Sequence, residues 1–424
     1  MKLLRIVLGL TLVAFLFTQC QKDEMTEPTL KKGELPDVVP AKMFTVIVKN
    51  VSTPFEYFAA GAVTIPDGEA EAGPALQGQS FTVSFHAGPG HKLSFATMYG
   101  ASNDWFYAPD DEGIALFDSN KNPLFTNTEE DITDMVHLWD AGTEVDGSMD
   151  SMESNPIELV SNTEENLQAF LTYDNVSMFT LTINVLPNSA TPLSPVAWVV
   201  HSEDQEPIFT ESHLDRGMGL EALAETGNPG PLSAHLKMHS GYVSPVAPVL
   251  WVVHEKGDMP IFTKGSMDRG LGLDSLAETG NPHELVTNLI SMGYNAGAYA
   301  VPDGSNEAGP LFPGDTYTFS FDAKPGQYLS IASMLGKSND EFFAFGDNGV
   351  KLAFGNGGKD ITGEVLLWDA GTEMNEYPGA GIHQGGPEGP NENGQVKPLM
   401  HVNDGFWWPS ASQVIKVTIH KNKN

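Results

Sequence analysis

One block of sequence occurs twice in this chain, and the duplication limits the fold more than any single motif. LSFATMYGASNDWFYAPDDEGIALFD begins at Leu93 and returns at Leu329 as LSIASMLGKSNDEFFAFGDNGVKLAF; VHLWDAGTE ends at Glu144 and returns as VLLWDAGTE ending at Glu373. Asp104 and Asp340 lie 236 positions apart and Asp140 and Asp369 lie 229 apart, so only the intervening loop changed length, by seven residues. The Pro-Asp-Gly turn at 66–68 and the strand-like run at 80–85 recur at 302–304 and 316–321 with the same offset of 236. Two copies of one domain are expected, and 424 residues suffice for two or three domains.

Within each copy the alternation of Leu93, Phe95 and Thr97, or of Leu329, Ile331 and Ser333, predicts a strand that ends in a Ser-Asn-Asp loop. A second strand, carrying Val136 and Leu138 or Val365 and Leu367, runs into Trp-Asp-Ala-Gly-Thr-Glu, where glycine permits a turn. Two strand-end loops that deliver carboxylates beside Asn, Thr and backbone oxygens suit a hard cation such as Ca²⁺. The same residue types also cap turns without any metal. Trp139 and Trp368, next to the second Asp, read as core aromatics that fix the loop.

From Phe44 to Leu186 short β-branched runs alternate with Gly, Pro, Asn and Asp clusters and little recurs at helical spacing, which is the pattern of a β-sandwich. A shorter repeat lies between the large copies: AWVVHSEDQEPIFTESHLDRGMGLEALAETGNP is followed by LWVVHEKGDMPIFTKGSMDRGLGLDSLAETGNP, 53 positions on. Each unit predicts a Trp-Val-Val-His strand and a short helix stopped by Gly-Asn-Pro. The expected organisation is a leader over 1–20, a tether over 21–42 and a first sandwich over 43–186. A first strand-helix unit over 187–243 follows, then the second unit and second sandwich over 244–424. Whether each Trp-Val-Val-His unit caps its own sandwich, and whether 179–185 closes the first sheet or opens the second, stays open at this level. His201 and His254 read as hydrogen-bonded structural residues, since no second His or Cys recurs at ligand spacing. The Gly-x-Gly pairs at 217–219 and 270–272 read as tight packing, and Asp215-Arg216 and Asp268-Arg269 as local ion pairs.

A formal charge of −33 excludes a nucleic-acid partner, which needs a basic footprint. Cys20 is the only cysteine, so neither a disulfide within the chain nor a thiolate metal site is available. It follows a short basic start and an apolar run over 6–17 that is too short to span a bilayer. This start resembles a bacterial lipoprotein signal with Cys20 as the lipidated residue, although Phe17 and Gln19 depart from the usual pattern. The following Gln-Lys-Asp-Glu resembles the surface-export tag of Bacteroidetes lipoproteins. An exported protein held at the outer membrane or cell surface is expected, with simple secretion as the other outcome.

The run FTLTINV over 179–185, then TPLSPVAWVVH, IFT, GLEALAETGNP, YTFSF, PGQYLS, SNDEF and WDAGTE together resemble the spondin N-terminal domain, the module of F-spondin and mindin. The resemblance covers 179–420 nearly completely and 44–185 in part. It implies a mainly β chain of two C2-like antiparallel β-sandwiches with short helical caps and Ca²⁺ at one end of each. Carried over residue by residue, it implies Asp104, Asp140 and Glu144 as ligands in the first copy and Asp340, Asp369 and Glu373 in the second. It also implies a strand acid, for which Asp322 qualifies in the second copy alone. Glu341 replaces the motif tryptophan, Trp105 in the first copy, so the second site is expected to hold one more carboxylate and to differ in affinity. The loop over 373–394 corresponds to the family's long loop after the DAGTE motif, placed to cover the metal end, with Gln384, Asn391 and Glu392 as contacts.

No Gly-x-Ser-x-Gly elbow, His-Glu-x-x-His or P-loop occurs in the sequence. Carboxylates that share a Ca²⁺ stay ionised, so neither supplies the raised-pKa acid of a glycosidase. The leading expectation is a Ca²⁺-dependent surface protein, not an enzyme, that binds an extracellular glycan, matrix polymer or protein. A structural spacer stabilised by Ca²⁺ is the alternative, and a glycan-active hydrolase the weakest reading.

Overall fold

Phe44, Val46 and Val48 give Lys42–Asn50 one buried face, which makes it a strand; its partners are distant in sequence. In the computed structural model, which describes residues 40–145, 147, 152–161, 166–353 and 357–422, it lies antiparallel between Thr316–Ala323 and Ile415–Lys421. The leader, Cys20 and all of the tether up to residue 39 lie outside the described residues. The described residues are mainly β, 35% strand and 12% helix, in antiparallel sheets.

Each of two sandwiches combines a four-stranded sheet with a larger one. In the first, Ser80–His86, Met178–Val185, Leu167–Tyr173 and Glu130–Asp131 form the smaller sheet. The larger begins Ala59–Val63, Val196–Ser202, His91–Met98 and continues through Trp105–Ala108 and His137–Asp140. The second sandwich repeats this order, with Lys42–Asn50 in the place that Met178–Val185 holds in the first. Residues 43–186 therefore do not make up the first sandwich: 42–50 belongs to the second, and the first takes in Val196–Ser202 and the helices behind it instead.

The physical reason is local. Both candidate strands carry the same alternation, but Met178–Val185 is joined to Leu167–Tyr173 by a tight turn in which Asp174 Oδ1 accepts the N–H groups of Val176, Ser177 and Met178. A hairpin closes at less entropic cost than a long-range pairing, so it holds the first sheet. Lys42–Asn50 is left to the second. The chain then crosses back after Asn50, whose buried Nδ2 donates to the carbonyls of Ser244 and Leu311.

Each Trp-Val-Val-His strand sits in its own sandwich, Val196–Ser202 beside His91–Met98 and Val249–His254 beside Tyr328–Met334. Two short helices cover the outer face of each larger sheet: Leu220–Thr226 and Gly230–Met238, then Leu273–Thr279 and His283–Ser291. Leu220, Leu223, Leu232 and Leu236 bury against Phe106, Trp139 and Val199. Gly219 precedes the first helix with φ 109°, and a Cβ there would meet the backbone nitrogen of Leu232 at 2.4 Å, so the glycine permits close helix packing. The expected Asp-Arg ion pairs do not form among the described residues. Arg216 and Arg269 donate to the carbonyls of Glu206 and Pro260, while Asp215 and Asp268 accept the N–H groups of Gly217 and Gly270.

If Lys42–Asn50 is the missing central strand, a fragment over 243–424 leaves its two neighbours about 9–10 Å apart with nothing between them. It should fail to give a cooperative thermal transition by circular dichroism, and adding a peptide over 41–50 should restore one. A fragment that melts cooperatively alone contradicts the assignment.

Candidate metal centre

The Ser-Asn-Asp loops and the DAGTE turns meet in both copies. Strands Trp105–Ala108 and His137–Asp140 pair so that Trp105 faces Asp140; in the second copy Glu341 faces Asp369. Asp104, fully buried, accepts at Oδ2 from the Thr143 N–H at 2.7 Å, the Thr143 hydroxyl at 3.2 Å and the Glu144 N–H at 2.9 Å. Asp340 does the same with Thr372 and Glu373 at 2.7, 3.1 and 3.1 Å. Asp140 and Asp369 accept the N–H groups of Gly142 and Gly371 at 2.7 and 2.6 Å. One carboxylate oxygen of each loop aspartate is thus occupied in shaping the turn.

On Asp104 and Asp340 the other oxygen is not. Asp104 Oδ1, Asp340 Oδ1 and Glu341 Oε1 are buried without a hydrogen-bond partner among the described residues. An unsatisfied buried polar atom costs about 1–3 kcal/mol, and more when charged. The second copy concentrates the problem, because like charges directly opposite on neighbouring strands destabilise each other. Burial and the nearby Asp369 charge push Asp340 up to about 7. Burial, then Asp340 and Asp369, hold Glu341 well above the usual carboxylate range. Asp369 is raised by burial, against which Lys397 Nζ at 3.5 Å from Oδ2 acts. In the first copy Trp105 replaces the glutamate.

The expected ligand sets are only partly assembled. Among the described residues no group of three or more His, Cys, Asp or Glu converges in the manner of a metal site. Glu373 turns away: its Oε1 accepts the Gly389 N–H at 2.5 Å and its Oε2 lies 3.5 Å from Asn339 Nδ2. Glu144 is drawn in by its backbone N–H. Asp322 does not belong to the site. It is exposed on Thr316–Ala323, in the opposite sheet, before the start of the seven-residue strand that leads toward Asp340. At about 3.3 Å per residue that strand alone spans about 20 Å between them.

Two acids escaped the sequence reading. Glu225 and Glu278, at the ends of the first cap helix in each copy, lie beside Thr143 and Thr372 and are raised by burial. The Ala-Glu-Thr-Gly-Asn-Pro recurrence was the available signal. The residues present fit a hard cation best at Asp340 and Glu341, neighbours in sequence that each leave one oxygen unpartnered among the described residues, with Asp369 close enough to act on both. The first copy offers Asp104 with Asp140.

The loop over 373–394 reaches the first sandwich. Tyr377 stacks on His86 with ring centroids 3.6 Å apart, Ile382 packs against the first core, and Gln384 holds the loop by bonds to Gly379 and Tyr377. Asn339 ties this loop to the acids, accepting the Glu376 N–H at 3.2 Å. His201 and His254 lie elsewhere, with ring nitrogens engaged by Ser94 and Ser330 hydroxyls and by the carbonyls of Ser202 and Glu255. A scan against protein-family models returns no match, and neither does a search of the curated proteins.

Burial pushes His201 from its ordinary 6.5 down to about 4. The unfolded chain takes up a proton near pH 6.5 that the folded strand refuses until about 4, so this group's stability is present above that window and lost as pH falls through it. The slope should reach about 1.4 kcal/mol per pH unit. His201→Asn should flatten the acid limb of denaturant-melt stability against pH between about 6.5 and 4; an unchanged slope contradicts the buried neutral imidazole.

Proposed function

We propose that the protein is a spondin-like, Ca²⁺-dependent binding protein of the bacterial cell surface, held there through lipidated Cys20. The observation that supports this most is the pair of buried, unpartnered oxygens on Asp340 and Glu341. A hard divalent cation answers both at once, since Ca²⁺ takes about six to eight oxygen ligands and tolerates irregular geometry. Asp340, Glu341 and Asp369 would hold it in the second copy, with the Thr372 and Asn339 region supplying uncharged oxygens. Asp104 and Asp140 would form the weaker counterpart. The cation neutralises mutually repelling carboxylates; the chain's own loops then keep one shape and present it to an extracellular glycan, matrix polymer or protein.

One observation favours the spacer reading. Asp104 and Asp340 each anchor a turn through three hydrogen bonds, so the acids serve the fold as well as any ligand.

Ca²⁺ at a hundredfold excess over its dissociation constant should stabilise a soluble fragment over 41–424 by about 2.7 kcal/mol, read as a raised melting temperature against chelator. Asp340→Asn should remove most of that rise and Asp104→Asn less. Identical melting with Ca²⁺ and with chelator would defeat the proposal. Loss of surface adhesion in a folded double variant favours binding; adhesion retained in it favours the spacer.

A further inference from the structure

A cleft lies where the two sandwiches meet. Its volume is about 390 Å³, within the range of about 300–1,000 Å³ for ligand sites. Phe58, Phe85, His86 and Trp198 of the first sandwich form one wall, and Tyr377, Pro378 and Trp407 of the second form the other. The second wall exists through two departures from the repeat. One is the loop over 373–394. The other is the stretch between Lys397–Pro398 and Ile415–Lys421, which carries Phe406, Trp407 and Trp408; in the first copy the matching strands Glu158–Ser161 and Leu167–Tyr173 follow each other almost directly.

The rings are organised rather than scattered. Phe85 stacks on Trp198 at 5.7 Å, His86 on Tyr377 at 3.6 Å, and Phe406 meets Tyr377 edge-on at 5.7 Å. Trp407 leaves its indole 55% exposed at the rim. Among the described residues no Asp, Glu, Lys or Arg lines the cleft, although the chain carries a net charge of −33. Burial, acting against the nearby Asp174 charge, lowers His86 from its ordinary value and favours the neutral ring, and its Nδ1 is paired with the Ser177 hydroxyl at 2.9 Å.

We infer that this cleft is a binding site for an uncharged sugar ring of a polysaccharide, gripped between the first sandwich and Trp407. A pyranose presents an apolar face of C–H groups to an aromatic ring while its hydroxyls point sideways to water, which matches the exposed Trp407 set across a cleft whose walls are poor in charge. A peptide matches less well, because its amides need backbone partners. The Phe58 and Gly241 N–H groups are already given to the carbonyls of Val200 and Tyr57. The inference shares its glycan partner with the preceding reading and does not depend on the cation.

The test is affinity electrophoresis and tryptophan fluorescence of the fragment over 41–424 with neutral glucan, mannan, xylan and galactan, and with a proline-rich peptide as control. At least one neutral polysaccharide should retard the protein and shift its emission. Trp407→Ala should weaken that binding about tenfold or more, the size of a lost aromatic anchor, with an unchanged melting temperature because the side chain is exposed. Binding that survives chelator and is lost in Trp407→Ala supports the cleft and counts against Ca²⁺ dependence; binding lost in both supports both. Binding lost in chelator but unaffected by Trp407→Ala overturns the cleft and leaves the calcium reading standing. No retardation by any neutral polysaccharide, or retention of the peptide alone, also overturns it.

Discussion

Buried carboxylates at the end of the second sandwich set the terms for what surrounds them. Asp340, Glu341 and Asp369 are all buried, and Lys397 Nζ lies 3.5 Å from Asp369 Oδ2. Leaving them ionised and unpaired costs several kcal/mol, so the folded state must bind a proton or a metal there. The same residues shape the DAGTE turn and, through Asn339, position the loop that carries Tyr377 to the first sandwich. Whatever neutralises the acids therefore also steadies the junction between the two halves. The first copy carries less of this burden, because Trp105 stands where Glu341 stands.

The junction gains a second constraint from topology. Lys42–Asn50 opens the described chain yet lies beside Ile415–Lys421, near the other end, so the second sandwich is complete only when both ends have come together. Residues 51–58 then lead into the first sandwich, tied down by the buried Asn50 and by the pairing of Tyr57 with Ser240. A tandem pair of independent domains would hinge at a single linker. Here the connection runs twice between the sandwiches, once after Asn50 and once near Ser244, which restricts their relative motion and lets a cleft with walls from both persist.

Much of this was legible in the residues. The repeat offsets located both acid loops, and the alternation in Lys42–Asn50 and Met178–Val185 marked both as strands. Which sheet each joins was not legible, because alternation specifies a buried face and says nothing of the neighbour; the Asp174 turn decided it. Asp322 failed for a related reason: a position carried over by analogy held an acid, but the strand's direction placed it at the opposite end. Glu225 and Glu278 were hidden by their helices, where a glutamate two residues after an inward leucine reads as solvated surface. Glu341 stood out as a departure from its own repeat, and the structure gives the reason to look there: the substitution places a fully buried carboxylate where the first copy has a half-buried indole ring.

Calorimetric Ca²⁺ titration of the fragment over 41–424, run beside Glu341→Gln, tests the central claim most directly. Two sites of unequal affinity in the natural protein, with the tighter one lost or greatly weakened in the variant, is the predicted result. Identical isotherms for the two proteins, or no heat from either, would contradict the account and leave the buried acids as protonated structural groups.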